Sequence, residues 1–121
     1  MRDGAAYEKQ ARFFQALSHP VRLYILDVLA QHEACVCHLT AILRQRQPYV
    51  SQQLAALRKA GLVADRREAN LIYYRLADDQ IAGLLGSAKA LAQGIDANGL
   101  AFPPIPESAV EGCPCPRCQA A

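Results

Sequence analysis

A helix bracketed by Pro48 and Gly61 constrains the fold of this chain more than any other stretch. Pro48 suits the first turn of a helix, because the amide that it lacks would have no intrahelical partner there. Gly61 follows a basic turn and provides a left-handed stop. The apolar side chains between them recur at helical spacing, at Val50, Leu54 and Leu57. The sequence therefore predicts a helix that starts at Gln47 or Pro48 and ends just before Gly61.

Two β-rich runs follow this helix. Residues 62–67 and 71–76 are rich in Val, Leu, Ile and Tyr, and three residues that end with Asn70 separate them. Such a pair of runs predicts a β-hairpin. Asn70 is the only residue at the tip that readily adopts a positive φ, so we expect the turn there.

Hydrophobic periodicity predicts three helices before Pro48. The first spans residues 7–17, the second runs from Pro20 to about Ala30, and a short third helix carries Val36, Leu39, Ile42 and Leu43. The third helix and the helix from Pro48 would form a helix-turn-helix, in which the third element braces the fourth and the fourth reads DNA. The predicted fold class is therefore mainly α with a β-hairpin wing (α+β), a winged helix-turn-helix.

The last helix has one strongly apolar face. It is expected to start after an N-cap at Asp78, and its apolar positions are Ile81, Leu84, Leu85, Ala88, Leu91, Ala92 and Ile95. A chain of 121 residues is small for covering such a face by itself. We therefore expect this helix and the first one to form a homodimer interface. The alternative is that the last helix packs only on its own domain.

Net positive charge is concentrated in the helix–hairpin segment. Residues 44–75 hold seven of the thirteen basic residues and two acidic ones, so this segment carries +5 and the remainder −3. Such a distribution is typical of a nucleic-acid reader, whereas a membrane-binding helix needs bulky apolar residues opposite the charge. Amides and a phenol turned outward suit base edges, and the flanking arginines suit phosphates. The candidate DNA-binding residues are Arg44, Arg46, Tyr49, Ser51, Gln52, Gln53, Arg58, Lys59, Arg66 and Arg67.

The C-terminal segment differs in composition from the rest of the chain. It is rich in proline, so we expect residues 1–98 to form the domain and 99–121 to form a flexible tail. Three of the five cysteines lie there, at Cys113, Cys115 and Cys118. They could wrap one soft ion, form a thiol–disulfide switch between Cys115 and Cys118, or be incidental.

Several functional classes are disfavoured. The sequence has no signal peptide or transmembrane run, so we expect a cytoplasmic protein with reduced thiols and no membrane partner. It also shows no Ser/His/Asp set, phosphate loop or carboxylate pair that could form an active site, and this argues against an enzyme.

Five segments carry a specific resemblance to a known family. Residues 16–22, 35–39, 47–54, 57–63 and 73–76 resemble the ArsR–SmtB family of dimeric winged-helix repressors, and the similarity extends over about residues 7–95. The resemblance implies a repressor that holds operator DNA and leaves it when a metal or metalloid ion binds. Cys35 and Cys37 look like the Cys-Val-Cys pair of the arsenic-, cadmium- and lead-sensing branch.

On a regular helix, residues two apart point roughly 200° away from each other. Cys35 and Cys37 can therefore share an ion only if the helix is not yet formed at Cys35 or is distorted there. At this position the helix dipole would favour a thiolate. Thr40 stands where the arsenic branch often has a further cysteine, so the third thiolate must come from the tail, or the tail holds a separate site. His32 and His38 could supply nitrogen, although solvent-exposed histidines are expected. Arsenite is the favoured inducer, with cadmium, lead or zinc as other candidates; the alternative function is a redox- or persulfide-responsive repressor with a cysteine disulfide switch.

Overall fold

The computed structural model describes residues 2, 4–96, 100–106 and 113. In chain order the elements are α1 (Gly4–Leu17), α2 (Pro20–Gln31), β1 (Ala34–Cys35), α3 (Val36–Leu43), α4 (Gln47–Lys59), β2 (Val63–Glu68), β3 (Leu71–Leu76) and α5 (Gln80–Ile95). The strands form one antiparallel sheet in the order β1-β3-β2. The predicted fold class, mainly α with a β-hairpin wing arranged as a winged helix-turn-helix, is confirmed.

Local signals in the sequence place most helix ends correctly. Gly61 has a φ of 80° and follows α4, as expected for a left-handed stop. The Asp78 carboxylate accepts a hydrogen bond of 2.8 Å from the backbone amide of Gln80, so it caps the first turn of α5. His19 caps α2, because its Nδ1 accepts a hydrogen bond of 3.2 Å from the backbone amide of Val21. These contacts satisfy amides that have no partner inside their helices.

The short strand β1 was not predicted. It pairs with β3, with Ala34 opposite Tyr74 and Cys35 opposite Tyr73. Two residues are too few to show an alternating pattern, and only the neighbouring strand reveals them. As a result, the segment just before α3 joins the same sheet as the wing.

The wing turn differs from the expectation at one residue. Ala69 has a φ of 54°, and Asn70 is not among the positive-φ residues of the described chain. Our placement of the left-handed residue at Asn70 was therefore wrong. The register, which pairs Glu68 with Leu71, makes Ala69 the first residue of a two-residue turn. A positive φ at the first of the two central residues is the pattern of a type II′ turn, which matches the twist of the flanking strands.

The hydrophobic core holds α3 and α4 against α2 and the base of the hairpin. Its fully buried side chains are Ile25, Leu26, Val28, Leu39, Val50, Leu54 and Leu57. Full burial of an aliphatic side chain contributes roughly 1.5–3 kcal/mol. These contacts therefore fix the orientation of α4, on which the DNA-binding face depends.

Helix α5 divides its apolar residues between two faces. Ile81 and Leu85 are buried against the domain, whereas Leu91 is 67% exposed and Ile95 is 76% exposed. Phe14 of α1 is also exposed. Part of the predicted apolar face thus packs on its own domain, and part remains uncovered in a single chain. Among the described residues, no helix has the length and apolarity needed to cross a membrane.

Candidate DNA-binding face and cysteine cluster

Helix α4 presents a polar outer surface beside a basic turn. Ser51 and Gln52 are exposed in its first half, and Arg58 and Lys59 are exposed in its last turn. Tyr49 is only half-buried, and the preceding turn exposes Arg44 and Arg46. Seven of the predicted DNA-binding residues, in α4 and the turn before it, are thus at least partly accessible. Their contact with DNA remains a prediction.

Gln53 does not belong to this outer surface. Only 9% of it is exposed, and its Oε1 accepts a hydrogen bond of 2.8 Å from Arg22 Nε. Our expectation that Gln53 is turned outward was therefore wrong. Position 53 lies three residues after Val50 and four before Leu57, so it completes the i, i+3, i+4, i+7 pattern of the buried face. This spacing could have identified Gln53 as a buried polar residue that joins α4 to α2.

The wing contains two adjacent arginines in different surroundings. Arg66 donates from Nη2 and Nε to the two carboxylate oxygens of Glu33, at 2.6 and 2.8 Å, and from Nη1 to Glu68 at 2.7 Å. Its guanidinium also lies 4.6 Å from the centre of the Tyr73 ring. The hydrogen bonds to Glu33 and then to Glu68 raise the pKa of Arg66. Arg67 is exposed. Of the two predicted phosphate contacts, Arg66 is therefore already paired with carboxylates in the absence of DNA, whereas Arg67 is exposed.

The Cys-Val-Cys pair spans the junction between β1 and α3. Cys35 is extended, with a φ of −78° and a ψ of 165°, and it is the N-cap residue of α3. Cys37 lies in the first helical turn, with its Cα 5.4 Å from that of Cys35, and the two Sγ atoms are in bonding contact as a disulfide. Of the two conditions under which both sulfurs could converge, the structure meets the first, because the helix is not yet formed at Cys35. The break in helical geometry allows both sulfurs to converge.

A third cysteine completes the cluster. Cys113 is 2% exposed, and the Sγ atoms of Cys35, Cys37 and Cys113 all lie within 4.8 Å of one another. Half-buried apolar side chains surround them, including Leu71 and Tyr73 of β3. The other two candidate ligands, Cys115 and Cys118, lie outside the described residues. Three sulfurs in an apolar pocket form a donor set suited to one thiophilic ion.

The Cys35 sulfur accepts a hydrogen bond at the start of α3. The donor is the His38 amide, at 3.2 Å, in the N-terminal turn of the helix. A helix N-terminus combines such amide donors with the positive end of the helix dipole, and both stabilise the thiolate of a reduced cysteine. Cys35 therefore occupies a position suited to an anionic ligand once its disulfide with Cys37 is reduced.

His38 is buried, contrary to the expectation of a solvent-exposed histidine. It is 2% exposed, and its ring contacts the edge of His32 with 5.6 Å between the ring centroids. His38 follows Cys35 by three residues and precedes the fully buried Leu39, so it lies on the inner side of α3. That spacing is the signal in the sequence that would have predicted its burial.

Similarity to known proteins agrees with this architecture. Residues 19–65 match the family described as bacterial regulatory protein, arsR family. A biofilm growth-associated repressor from Agrobacterium fabrum is 47% identical over 90 residues, which cover 71% of this chain and 77% of the relative. A transcriptional repressor SmtB homolog from Synechocystis is 42% identical over 77 residues, which cover 64% of this chain and 58% of the relative.

A solved structure shows the same fold. It is the solution structure of a homodimeric winged helix-turn-helix DNA-binding domain from Mycobacterium bovis, described as a possible ArsR-family transcriptional regulator. The TM-score is 0.74 at 32% identity, and the match covers 84% of this chain and 94% of that one. The sequence matches and the shared fold agree, and the chain therefore belongs to the ArsR–SmtB family of winged helix-turn-helix transcriptional regulators.

Proposed function

We propose that this regulator is a homodimeric repressor that leaves its operator when a thiophilic ion, with arsenite favoured, binds Cys35, Cys37 and Cys113. The observation that carries the proposal is the convergence of three sulfurs within 4.8 Å. These residues come from β1, α3 and the segment beyond α5. One ion bound to all three would thus join parts of the protein that are far apart in sequence.

The donor set suits arsenite better than it suits zinc. Arsenous acid reacts with three thiols, forming three As–S bonds, breaking three As–OH and three S–H bonds and releasing three waters. The cluster supplies three thiols once two equivalents of a reducing thiol have reduced the Cys35–Cys37 disulfide, and its apolar surroundings limit competition from water. Zinc prefers four ligands in structural sites. Zinc would therefore need a fourth group, for which Cys115 and Cys118 are the nearest cysteines in the sequence, whereas cadmium and lead accept three or four thiolates.

The position of the cluster suggests how binding is transmitted to DNA. Cys37 lies in α3, which packs against the reading helix α4, and Cys35 pairs with Tyr73 in the wing strand β3. An ion that fixes the N-terminus of α3 therefore acts on both DNA-binding elements. We infer that the ion-bound arrangement of α3 and β1 disfavours the orientation that two half-sites require.

Dimerisation supplies the second reading helix. The exposed apolar residues of α1 and α5, which include Phe14, Leu84 and Leu91, are suited to an interface between two copies of the chain. A two-fold dimer would place its reading helices in half-sites about 34–36 Å apart. The proposed operator is therefore a palindrome in double-stranded DNA.

A redox-responsive repressor is the second candidate. It is favoured by the bonding contact between the sulfurs of Cys35 and Cys37. Oxidation of these thiols would form one S–S bond and release two protons and two electrons to an oxidant such as a peroxide. In that case the disulfide, rather than an ion, would change the geometry at the start of α3.

Operator release measured on single-cysteine variants tests the proposal. Arsenite should release the wild-type protein under anaerobic conditions, and Cys35→Ser, Cys37→Ser and Cys113→Ser should each keep operator affinity but lose the response. A variant with both Cys115→Ser and Cys118→Ser is the matched control and should respond normally. Arsenic X-ray absorption should show three sulfur neighbours.

Two results would overturn the metalloid proposal. A normal arsenite response after Cys35→Ser and Cys37→Ser together would remove the cluster from the mechanism. Release by peroxide but not by arsenite would favour the redox alternative, if the response to peroxide is lost when Cys35 and Cys37 are both replaced. Removing residues 113–121 distinguishes a shared site from a separate one. If the tail holds a separate site, the truncated protein should lose one bound ion and still respond to arsenite.

A further inference from the structure

Residues 100–106, which we call the strap, lie across the groove between α2 and α5. Phe102 lines a cavity of about 320 Å³ with Leu23 of α2 and Leu85 of α5. It also lines a second cavity, of about 310 Å³, together with Ile105. The strap is thus seated on the domain between the end of α5 and the buried Cys113.

Polar contacts from α5 hold the same segment. The Gln93 side-chain amide donates to the Leu100 carbonyl oxygen at 3.0 Å. Lys89 forms an ion pair with Asp27 of α2, and its Nζ lies 4.7 Å from the centre of the Phe102 ring. A cation over an aromatic face is attracted by the negative charge of the ring face. The strap therefore has both an apolar and an electrostatic attachment to the groove.

The attachment is incomplete, and this bears on its role. Phe102 has open space on either side, and 46% of it is exposed. Ile105 is half-buried against the main core. Few buried contacts make a segment easy to release without unfolding the domain. Docking of the strap is accordingly a local equilibrium, separate from the stability of the DNA-binding fold.

The strap shortens the link between the domain and its third thiol. Cys113 lies eighteen residues beyond the end of α5 at Ile95 but only seven beyond Pro106. The effective concentration of a flexibly linked group falls roughly as the −3/2 power of the link length, so seven residues in place of eighteen raise it about fourfold.

We propose that Phe102 and Ile105 are positioning residues for the sensor, because they hold the strap in the α2–α5 groove and so present Cys113 to Cys35 and Cys37. This inference rests on the proposed function, since it assigns Cys113 a role in ion binding. It adds that the affinity for the ion depends on an apolar contact remote from the sulfurs. It also links the site to α5, the helix with the exposed apolar face.

A variant of the full-length dimer with both Phe102→Ala and Ile105→Ala tests the proposal. We expect its half-maximal release from operator DNA to need about four times more arsenite, with unchanged operator affinity in the absence of arsenite. Alkylation of Cys113 by iodoacetamide in the reduced, ion-free protein, followed by mass spectrometry, should become faster. Ala101→Ser changes an exposed residue of the same segment and should leave both measurements unchanged.

The Cys113→Ser background separates failure of this inference from failure of the proposed function. The readout in that background is direct arsenite binding by the remaining Cys35–Cys37 pair, because operator release and Cys113 alkylation are both lost with Cys113. If Phe102 and Ile105 act only through Cys113, their substitution should leave this residual arsenite affinity unchanged. The strap proposal is overturned if the alanine variant responds like the wild type, or if its effect is equally large without Cys113. An unchanged arsenite response of Cys113→Ser alone would instead contradict the proposed function.

Discussion

The adjacent wing arginines should contribute unequally to DNA binding. The Arg66 guanidinium donates to Glu33 and Glu68, so a phosphate would have to replace carboxylates that already compensate its charge. Within the described part of the chain, no ion pair is recorded for Arg67, and the residue is exposed. We therefore predict that Arg67→Ala weakens binding to all duplexes more than Arg66→Ala does.

The size of the effect follows from counterion release. Each phosphate contact contributes about 0.9 to the slope of log affinity against log salt. Loss of one contact per protomer in a dimer lowers that slope by about 1.8. The loss of affinity between 50 and 200 mM salt then becomes about twelvefold smaller than in the wild type. We expect this full change for Arg67→Ala. Arg66→Ala should lower the slope by less than about half of that amount, because the positive charge of Arg66 is already paired with carboxylates.

Fluorescence anisotropy at several salt concentrations is a suitable assay. An operator duplex and a scrambled duplex of the same length should show the same change in slope, since phosphate contacts carry no sequence information. Equal changes for Arg66→Ala and Arg67→Ala would refute the argument from carboxylate pairing. A Glu33→Gln variant sharpens the test, because it should increase the contribution of Arg66.

Three further predictions concern the dimer and the stability of the fold. Gln53→Ala should lower the free energy of unfolding in urea by about 1–3 kcal/mol, because Arg22 Nε loses its acceptor. Gln52→Ala should change that free energy by less than about 0.5 kcal/mol and instead reduce discrimination between operator sequences; equal stability losses would contradict this distinction. Leu91→Glu should give monomers in sedimentation and weaken operator binding by about a hundredfold, and a monomer with full affinity would exclude the proposed interface. Ala69→Gly should raise the free energy of unfolding, measured by thermal denaturation, by about 0.5–1 kcal/mol. The relief of left-handed strain at this residue should outweigh the greater conformational entropy of glycine in the unfolded chain. A loss of stability would show that Ala69 is not strained.

Features that depend on local chemistry were predictable from the sequence. Pro48 and Gly61 mark the ends of α4 through their own backbone constraints. The hairpin followed from two β-rich runs with a short gap. Gln53 and His38 were misjudged for a different reason. Their polarity suggested exposure, whereas their spacing relative to buried neighbours determines which side of the helix they occupy.

The ability of Cys35 and Cys37 to converge could be stated from the sequence only as a condition. Whether the condition is met depends on β1, which exists because β3 offers it a partner in the sheet. A strand of two residues has almost no intrinsic preference, so its formation is a consequence of tertiary structure. The hairpin that forms the wing therefore also sets the backbone geometry of the thiol pair.

The position of Cys113 depends on contacts between segments that are far apart in the sequence. The prolines at 103, 104 and 106 indicated a tail without helix, and the described residues 100–106 indeed lie outside any helix or strand. Proline also restricts the conformations available to an undocked chain, so less entropy is lost when the segment docks. Phe102 and Ile105 lie among these prolines and supply the apolar contacts with the groove. The same composition that rules out a helix thus lowers the entropic cost of bringing a third thiol to Cys35 and Cys37.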